Sequence, residues 1–336
     1  MYHNVKIENF RTFSCFDIKE LGQVNLFVGR NNAGKTAILE ALEILMSNHW
    51  RVLLKSSDRR NEYIETLGIP YIDISHLFTG HYLDVNSWFQ ISGIARNEQQ
   101  KQFIKLNLID NSDELEKRLT VQIESSYLEK SLSMSLEKFM YDDRHIDIKN
   151  FSKSPLFLST SGANDEQLQR LWDSIVATPA EEKVYEALLS VLPTLERIVF
   201  TSSNRGNVFI KLKNTERLPL GSMGEGVRRL LGLAIYIVKS EGKYLLIDEI
   251  DTGLHYSVIE DLWRFIVQTA KQFNVQVFAT THSSDCVRAL AWLQADQPEL
   301  AKEVVLYRVE PNATQAIRYS SEELEIAARH HIEVRG

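Results

Sequence analysis

Apolar and polar positions alternate in 3-HNVKIENF-10 and again in 14-SCFDIKEL-21, with Arg11 and Thr12 between them, which predicts strand, turn and strand. A short apolar run from Val24 to Val28 predicts a third strand. Between Thr36 and about Met46 the residues Ile38, Leu39, Leu42, Ile44 and Leu45 recur at helical spacing, so a strand leads through a polar loop into a helix. A polar segment, 55-KSSDRRNEY-63, follows. The period then returns to that of a strand: Trp88, Phe89, Ile91 and Ile94; Phe103, Ile104, Leu106 and Leu108; Leu119, Val121 and Ile123; Leu132, Met134 and Leu136. Polar turns, 95-ARNEQQK-101 and 110-DNSDELEK-117, separate these runs, and the stretch 83–150 reads as an antiparallel β meander inserted in an α/β frame.

Helical spacing resumes in 166-EQLQRLWDSIV-176 and in 178-TPAEEKVYEALLSVL-192, where Thr178 is the expected N-cap and Pro179 the first helical residue. Strands are predicted at 195–200 and 207–213. The last third alternates: helix near 225–240, strand 244–248, helix near 256–272, strand 275–281, helix near 284–293, strand 303–309. Such alternation predicts a largely parallel sheet covered by helices. The expected organisation is a single domain over 1–336, with its frame in 1–50 and 195–336, the meander in 83–150 and a helical segment in 164–194.

The polar loop between the third strand and its helix is 29-GRNNAGKT-36, which satisfies GxxxxGK[ST] in full. Gly29 and Gly34 let the backbone turn tightly, so that the N–H groups of Arg30, Asn31, Asn32, Ala33 and Ala37 and the helix start face a polyphosphate. Lys35 would reach the β and γ phosphates and Thr36 would place its hydroxyl on Mg²⁺. A glycine-bearing turn can match this pattern by chance; the flanking strand and helix favour nucleotide binding. A second element, 244-YLLIDEIDTGLH-255, delivers Asp248 at the end of an apolar strand, where a carboxylate can hold Mg²⁺ through water. Glu249 follows, placed to orient or deprotonate an attacking water. Other clusters have plainer readings. Asp142, Asp143, His145 and Asp147 resemble a metal cluster but fit a solvated turn, and Arg59, Arg60, Arg228 and Arg229 could meet DNA phosphates or simply be solvated.

At 336 residues the chain can bury a sizeable core, and a net charge of −7 excludes coating of nucleic acid by bulk charge while leaving a local patch open. Cys15 and Cys286 are too few for a disulfide framework and have no zinc-site spacing. With no apolar signal core at the N-terminus and no run near the roughly 20 apolar residues of a membrane span, a soluble cytoplasmic protein without a membrane partner is expected.

A third stretch, 218-LPLGSMGEGVRRLLGLAIYIV-238, sets Gly221, Ser222, Met223, Gly224 and Glu225 just before an apolar helix. GSMGE here resembles the signature of ATP-binding-cassette (ABC) ATPases, usually LSGGQ, and His282 in 278-FATTHSSD-285 resembles their switch histidine. The resemblance implies an ABC-type P-loop fold in which two chains sandwich two ATP molecules, with Ser222 to Glu225 of one chain facing the γ phosphate held by the other and His282 contacting it in the same chain. Met223 stands in place of a signature glycine and His255 in place of the D-loop aspartate, which Asp251 could replace. Gln90 is the candidate for the Q-loop glutamine.

Within that superfamily, 6-KIENFRTFSCFDI-18 resembles the opening of the SMC, RecF and OLD (overcoming lysogenization defect) branch, which would put Arg11 near the nucleotide. The phrase 246-LIDEIDTGLHYS-257 is similar to OLD-like, AAA-type ATPases. OLD nucleases carry a TOPRIM domain after the ATPase; only about 50 residues follow His282, fewer than a domain of typical size. The resemblance therefore implies a Mg²⁺-dependent ATP hydrolase, dimeric around ATP. It would be the sensor or regulator of a separately encoded effector, such as a TOPRIM or HNH nuclease, in bacterial antiviral defence. A RecF-like DNA clamp and a transporter subunit are the other readings, so DNA remains a possible partner.

Overall fold

The computed structural model describes residues 1–47, 49–66, 69–95, 101–110, 119–141, 154–201 and 208–329. In chain order the first elements are β1 (Tyr2–Phe10), β2 (Phe13–Ile18), β3 (Val24–Val28), α1 (Lys35–Met46), α2 (Val52–Arg59) and the hairpin β4 (Tyr63–Thr66) and β5 (Ile69–Ile72). Then come β6 (Trp88–Ala95), β7 (Gln102–Asp110), β8 (Leu119–Ser125), β9 (Leu132–Ser135), α3 (Leu136–Tyr141) and β10 (Leu156–Leu158). Two helices follow, α4 (Asp165–Asp173) and α5 (Pro179–Leu189), and three strands, β11 (Leu195–Phe200), β12 (Val208–Leu212) and β13 (Leu218–Pro219). The last part runs α6 (Glu225–Lys239), β14 (Tyr244–Ile247), α7 (Ile259–Gln272), β15 (Gln276–Thr280), α8 (Ser284–Asp296), α9 (Pro298–Ala301), β16 (Val304–Arg308), β17 (Ile317–Tyr319) and α10 (Ser321–Arg329). Thr178 caps α5 through its Oγ1, with Pro179 at the first position, as its sequence predicts.

The chain forms two compact units. The first, Met1–Leu21 with Arg30–Pro155 and Val309–Ile317, is built on a six-stranded sheet in the order β2-β1-β6-β7-β8-β9. Every pairing in it is antiparallel, so the predicted meander is present, and it is continuous with the N-terminal hairpin through β1 and β6 (Ile7 opposite Ile91). Period-two burial follows: Ile104, Leu106 and Leu108 of β7 and Val121 and Ile123 of β8 are buried, with less buried residues between them. Helix α1 packs on this sheet, and Gly93 of β6 is where it comes close. A Cβ there would lie 2.7 Å from the Tyr2 ring and 3.0 Å from Leu45 Cδ2. The candidate cluster Asp142, Asp143, His145 and Asp147 lies outside the described residues, as does most of the turn at 110–117.

The polar stretch 55–63 is partly helical, within α2, and Lys55, Arg59 and Arg60 pair with carboxylates of α1. Glu43 of α1 is fully buried and pairs with Arg59 and, at 3.1 Å, with Lys55. Burial pushes its pKa up, but Lys55 and Arg59 outweigh this and hold it below the ordinary value. Glu40, also buried, receives Arg60 Nε at 2.6 Å and lies 3.0 Å from Arg11 Nε. A hydrophobic-periodicity reading misses this helix because its apolar residues, Val52, Leu53 and Leu54, fill only its first turn and the buried positions that follow are Ser56 and Ser57.

The second unit, Gly22–Gly29 with Leu156–Arg308 and Arg318–Gly336, is built on a sheet in the order β10-β14-β15-β3-β16-β17. The pairings from β10 to β16 are parallel. All five residues of β3 and of β15 are buried, as expected of strands covered on both faces. The core draws on α6, α7 and α8, with Trp263, Phe265 and Leu290 among its members. Strands β11, β12 and β13 form a separate antiparallel sheet. Among the described residues, no helix is long and apolar enough to cross a membrane.

Arg11 is 3% exposed, with Nη1 donating to Glu62 Oε1 (2.5 Å) and to His76 O (3.2 Å) and Nη2 to Ser56 Oγ (3.0 Å). Arg11→Ala leaves Glu62 and Glu40 short of a cation and should lower the thermal unfolding midpoint by the equivalent of about 3–5 kcal/mol. An unchanged midpoint would mean that this network does not carry the first unit.

Candidate nucleotide site

The loop at 29–34 leaves the end of β3. Within the first unit its second half is a tight turn in which Ala33 N donates to Arg30 O (3.2 Å), Asn32 has φ 62° and Gly34 has φ 99°. Gly34 is needed for its left-handed backbone and for space, since a Cβ would sit 2.5 Å from Phe13 Cζ and 2.9 Å from Thr12 Oγ1. Helix α1 begins with no side-chain cap, and a helix start favours an anion. Lys35 is 5% exposed and its Nζ donates to Arg30 O at 2.9 Å, which folds the ammonium along the loop. Arg30, Asn31 and Asn32 are exposed, Thr36 is half-buried, and Ala33 and Ala37 are buried. A glycine cradle, an uncapped helix start and an amine lying along it fit a polyphosphate.

In the second unit the carboxyl ends of β3, β14 and β15 lie along one edge, because parallel pairing sets Ile247 beside Ala279 and Phe27 beside Thr280. Ligands of open parallel sheets sit at such edges. Asp248 follows β14 and both of its oxygens are held: Thr280 Oγ1 donates to Oδ1 (2.7 Å) and Thr160 Oγ1 to Oδ2 (3.2 Å). Thr280 Oγ1 also accepts from Glu249 N (2.9 Å), so one hydroxyl aligns both acidic residues. Glu249 has φ 50°, a conformation costing a non-glycine residue roughly 1–3 kcal/mol and typical of functional sites. Its Oε1 lies 3.6 Å from His282 Nε2, and Thr252 Oγ1 donates to its Oε2 (3.1 Å). Both side chains are more than a third exposed, at 36% for Glu249 and 38% for His282, so an incoming water can reach them.

A 3-10 turn, Leu220–Met223, runs into α6 through Gly224, whose φ is 85°. Ser222, Gly224 and Glu225 are exposed, Met223 is half-buried, and nothing lies within 4 Å of a Cβ built on Gly221 or Gly224. Helix α6 has no side-chain cap, so this turn too offers a free helix start to an anion. Glu225 packs over the turn after Glu249, its Cγ 2.8 Å from a Cβ built on Gly253.

The family model described as AAA ATPase domain matches residues 1–190 and 158–287. The chain belongs to this family. Its activity class is therefore ATP hydrolysis. Among curated proteins, this AAA-type ATPase is 26% identical over 333 residues to an ATP/GTP phosphatase of Helicobacter pylori, covering 86% of this chain and 87% of that one. Among solved structures, the SMC head domain from Thermotoga maritima is similar at TM-score 0.52 and 13% identity, covering 95% of this chain and 99% of that chain. An Smc head bound to the C-winged helix domain of ScpA is similar at TM-score 0.54 and 12% identity, covering 97% and 99%. At such identities the likeness is one of fold, an SMC-head-like α/β fold.

Several residues of this AAA-type ATPase were not legible from motif spacing. Thr160 follows the edge strand β10, too short at three residues to stand out in the sequence, and reaches Asp248 only through the parallel pairing of β10 with β14. Gln90 lies within β6, between Glu8 and Lys105, not at the end of a parallel strand. Of the four arginines weighed as phosphate contacts, Arg59 pairs with Glu43, Arg60 with Glu40 and Arg228 with Asp165, while Arg229 donates to Glu249 O.

Thr280→Val removes the donor to Asp248 and the acceptor of a backbone N–H at a residue 1% exposed. We expect a loss of about 1–3 kcal/mol in stability and reduced ATP turnover, with Thr280→Ser recovering both. Full turnover in the valine variant would show that the shared hydroxyl does not align the pair.

Proposed function

We propose that this AAA-type ATPase is an ATP-dependent dimerisation switch: two copies pair head to tail around ATP and separate after hydrolysis. The observation that supports this most is the grouping of Asp248, the Glu249–His282 pair and the end of β3, where the loop departs, along one carboxyl edge. In this reading Gly29 to Ala37 cradle the phosphates, Lys35 reaches the β and γ phosphates, and Thr36 and Asp248 hold Mg²⁺. Mg²⁺ would offset phosphate charge as the bond to the γ phosphate breaks. Glu249 accepts a proton from the attacking water, and His282 orients toward the same phosphate. Ser222, Met223, Gly224 and Glu225 act on the partner copy's nucleotide, so contacts exist in the ATP state that hydrolysis removes. The Helicobacter pylori relative's description as an ATP/GTP phosphatase supports phosphate release as the outcome, with GTP as the nucleotide to compare. We infer a cytoplasmic location, where ATP is supplied.

The output we propose is control of a separately encoded effector, such as a TOPRIM or HNH nuclease, in an OLD-like antiviral defence system. Support comes from the OLD-like phrases at 6–18 and 246–257, and from an Smc head of the same fold that binds a protein domain, the C-winged helix domain of ScpA. The pairing of Arg59, Arg60 and Arg228 with carboxylates of the same chain, and of Arg229 with Glu249 O, weighs against DNA as the main ligand. The SMC-head fold keeps a RecF-like DNA clamp as the second reading.

Lys35→Ala should lose nucleotide binding, and retained micromolar affinity would remove the cradle. Glu249→Gln should bind ATP, stall turnover and accumulate as dimer by mass measurement with Mg-ATP. A dimer formed only when duplex DNA is added would move the reading to the clamp, and normal turnover in this variant would remove Glu249 as base. A Ser222→Arg chain, inactive alone, should regain one working site when mixed with Lys35→Ala; absence of rescue counts against shared sites.

A further inference from the structure

The first turn of α6 lies along residues 249–254 at three points. Glu225 Cγ occupies the space above Gly253, Gly226 would bring a Cβ to 3.7 Å from Leu254 Cδ2, and Arg229 Nη2 donates to Glu249 O at 3.0 Å. Residues 225 and 229 are one helical turn apart, so Glu225 and Arg229 share a face of α6. Gly253, at φ 78°, admits Glu225 only because it has no side chain.

Arg229 is 6% exposed, and among the described residues no carboxylate lies within salt-bridge distance of it; its Nε has no hydrogen-bond partner. Asp251, Glu225 and Glu249 act on it through space, and burial lowers its pKa against their pull. A buried guanidinium without a paired carboxylate is a costly choice for packing alone, where an apolar side chain would serve better. Its directed contact is to the carbonyl of Glu249, the one non-glycine residue of 249–254 held in the left-handed region. That carbonyl also accepts from Thr252 N (3.1 Å), so two donors set the peptide that follows Glu249. Next to it, Arg228 ties the same helix to Asp165 of α4 at 2.6 Å, which fixes the helix from its other side.

We infer that Arg229 is a positioning residue for Glu249: it transmits the placement of the exposed turn 221–225 through the first turn of α6 to the backbone that aims the glutamate. The inference rests on the reading of Glu249 as the base for hydrolysis. In it, contact of the turn with a phosphate and correct aim of Glu249 are one event, which ties hydrolysis to the paired state.

The test compares Arg229→Met, which cannot donate, with Arg229→Lys, which keeps a charged donor, by equilibrium Mg-ATP binding, steady-state turnover and thermal unfolding. Arg229→Met should lower kcat by about 10- to 100-fold with ATP affinity within about twofold of the parent, and Arg229→Lys should fall between them. Adding Arg229→Met to Glu249→Gln should cost nothing further, since both act through one group. Parent-like kcat in Arg229→Met, or kcat, affinity and unfolding midpoint falling together in both variants, would overturn the assignment. Where Arg229→Met is not recovered folded, Arg229→Lys decides, and parent-like kcat in it overturns the inference. Glu249→Gln separates the two readings. If it turns over normally the base is misassigned, whereas if it stalls while Arg229→Met does not, only the link from α6 fails.

Discussion

One hydroxyl organises the candidate site edge of the second unit. Thr280 Oγ1 donates to Asp248 and accepts from the backbone N–H of Glu249, so the last residue of β15 sets two acidic residues that follow β14. This works only because the two strands are parallel and in the register that places Ile247 beside Ala279; a slip of one residue would turn the hydroxyl to the opposite face. The apolar bulk of α6, α7 and α8 covers that sheet and keeps the pairing in place. The site is therefore a consequence of strand register, and the register is a consequence of burial.

Charge is handled differently in the two units. In the first, Glu40 and Glu43 of α1, with Glu62, face Arg11, Lys55, Arg59 and Arg60, three carboxylates against four cations, and this network holds α1, the helix that begins at Lys35. In the second, Arg229 has, among the described residues, no carboxylate within salt-bridge distance and donates instead to a backbone carbonyl. The contrast explains why arginines adjacent in sequence, Arg228 and Arg229, serve unlike ends: one is an ordinary ion pair to Asp165, the other bears on a strained peptide.

Departures from the expected motifs have local physical explanations. Met223 lies in a 3-10 turn with Gly221 and Gly224 on open ground beside it. Asp251 is held by Thr281 Oγ1 at 2.5 Å, so it stiffens the turn between Glu249 and His255. Thr160, in the turn that follows β10, supplies a hydroxyl to Asp248.

What the sequence alone determined is local: the glycine-bounded loop between a strand and a helix, the apolar run ending in Asp248 and Glu249, the helix starts at Thr178 and Glu225, and the two-residue period of the meander. Each is written in neighbouring residues, since turn conformation, capping and burial periodicity are short-range properties. Tertiary structure alone decided what lies far apart in the chain. β1 joined the meander through β6, the polar stretch after Lys55 became the ionic wall of α1, and Thr160, Arg229 and Thr280 came to surround two acidic residues. None of these could be read from spacing, because a hydrogen bond between residues 88 positions apart, as from Thr160 to Asp248, leaves no periodic trace in the chain that makes it.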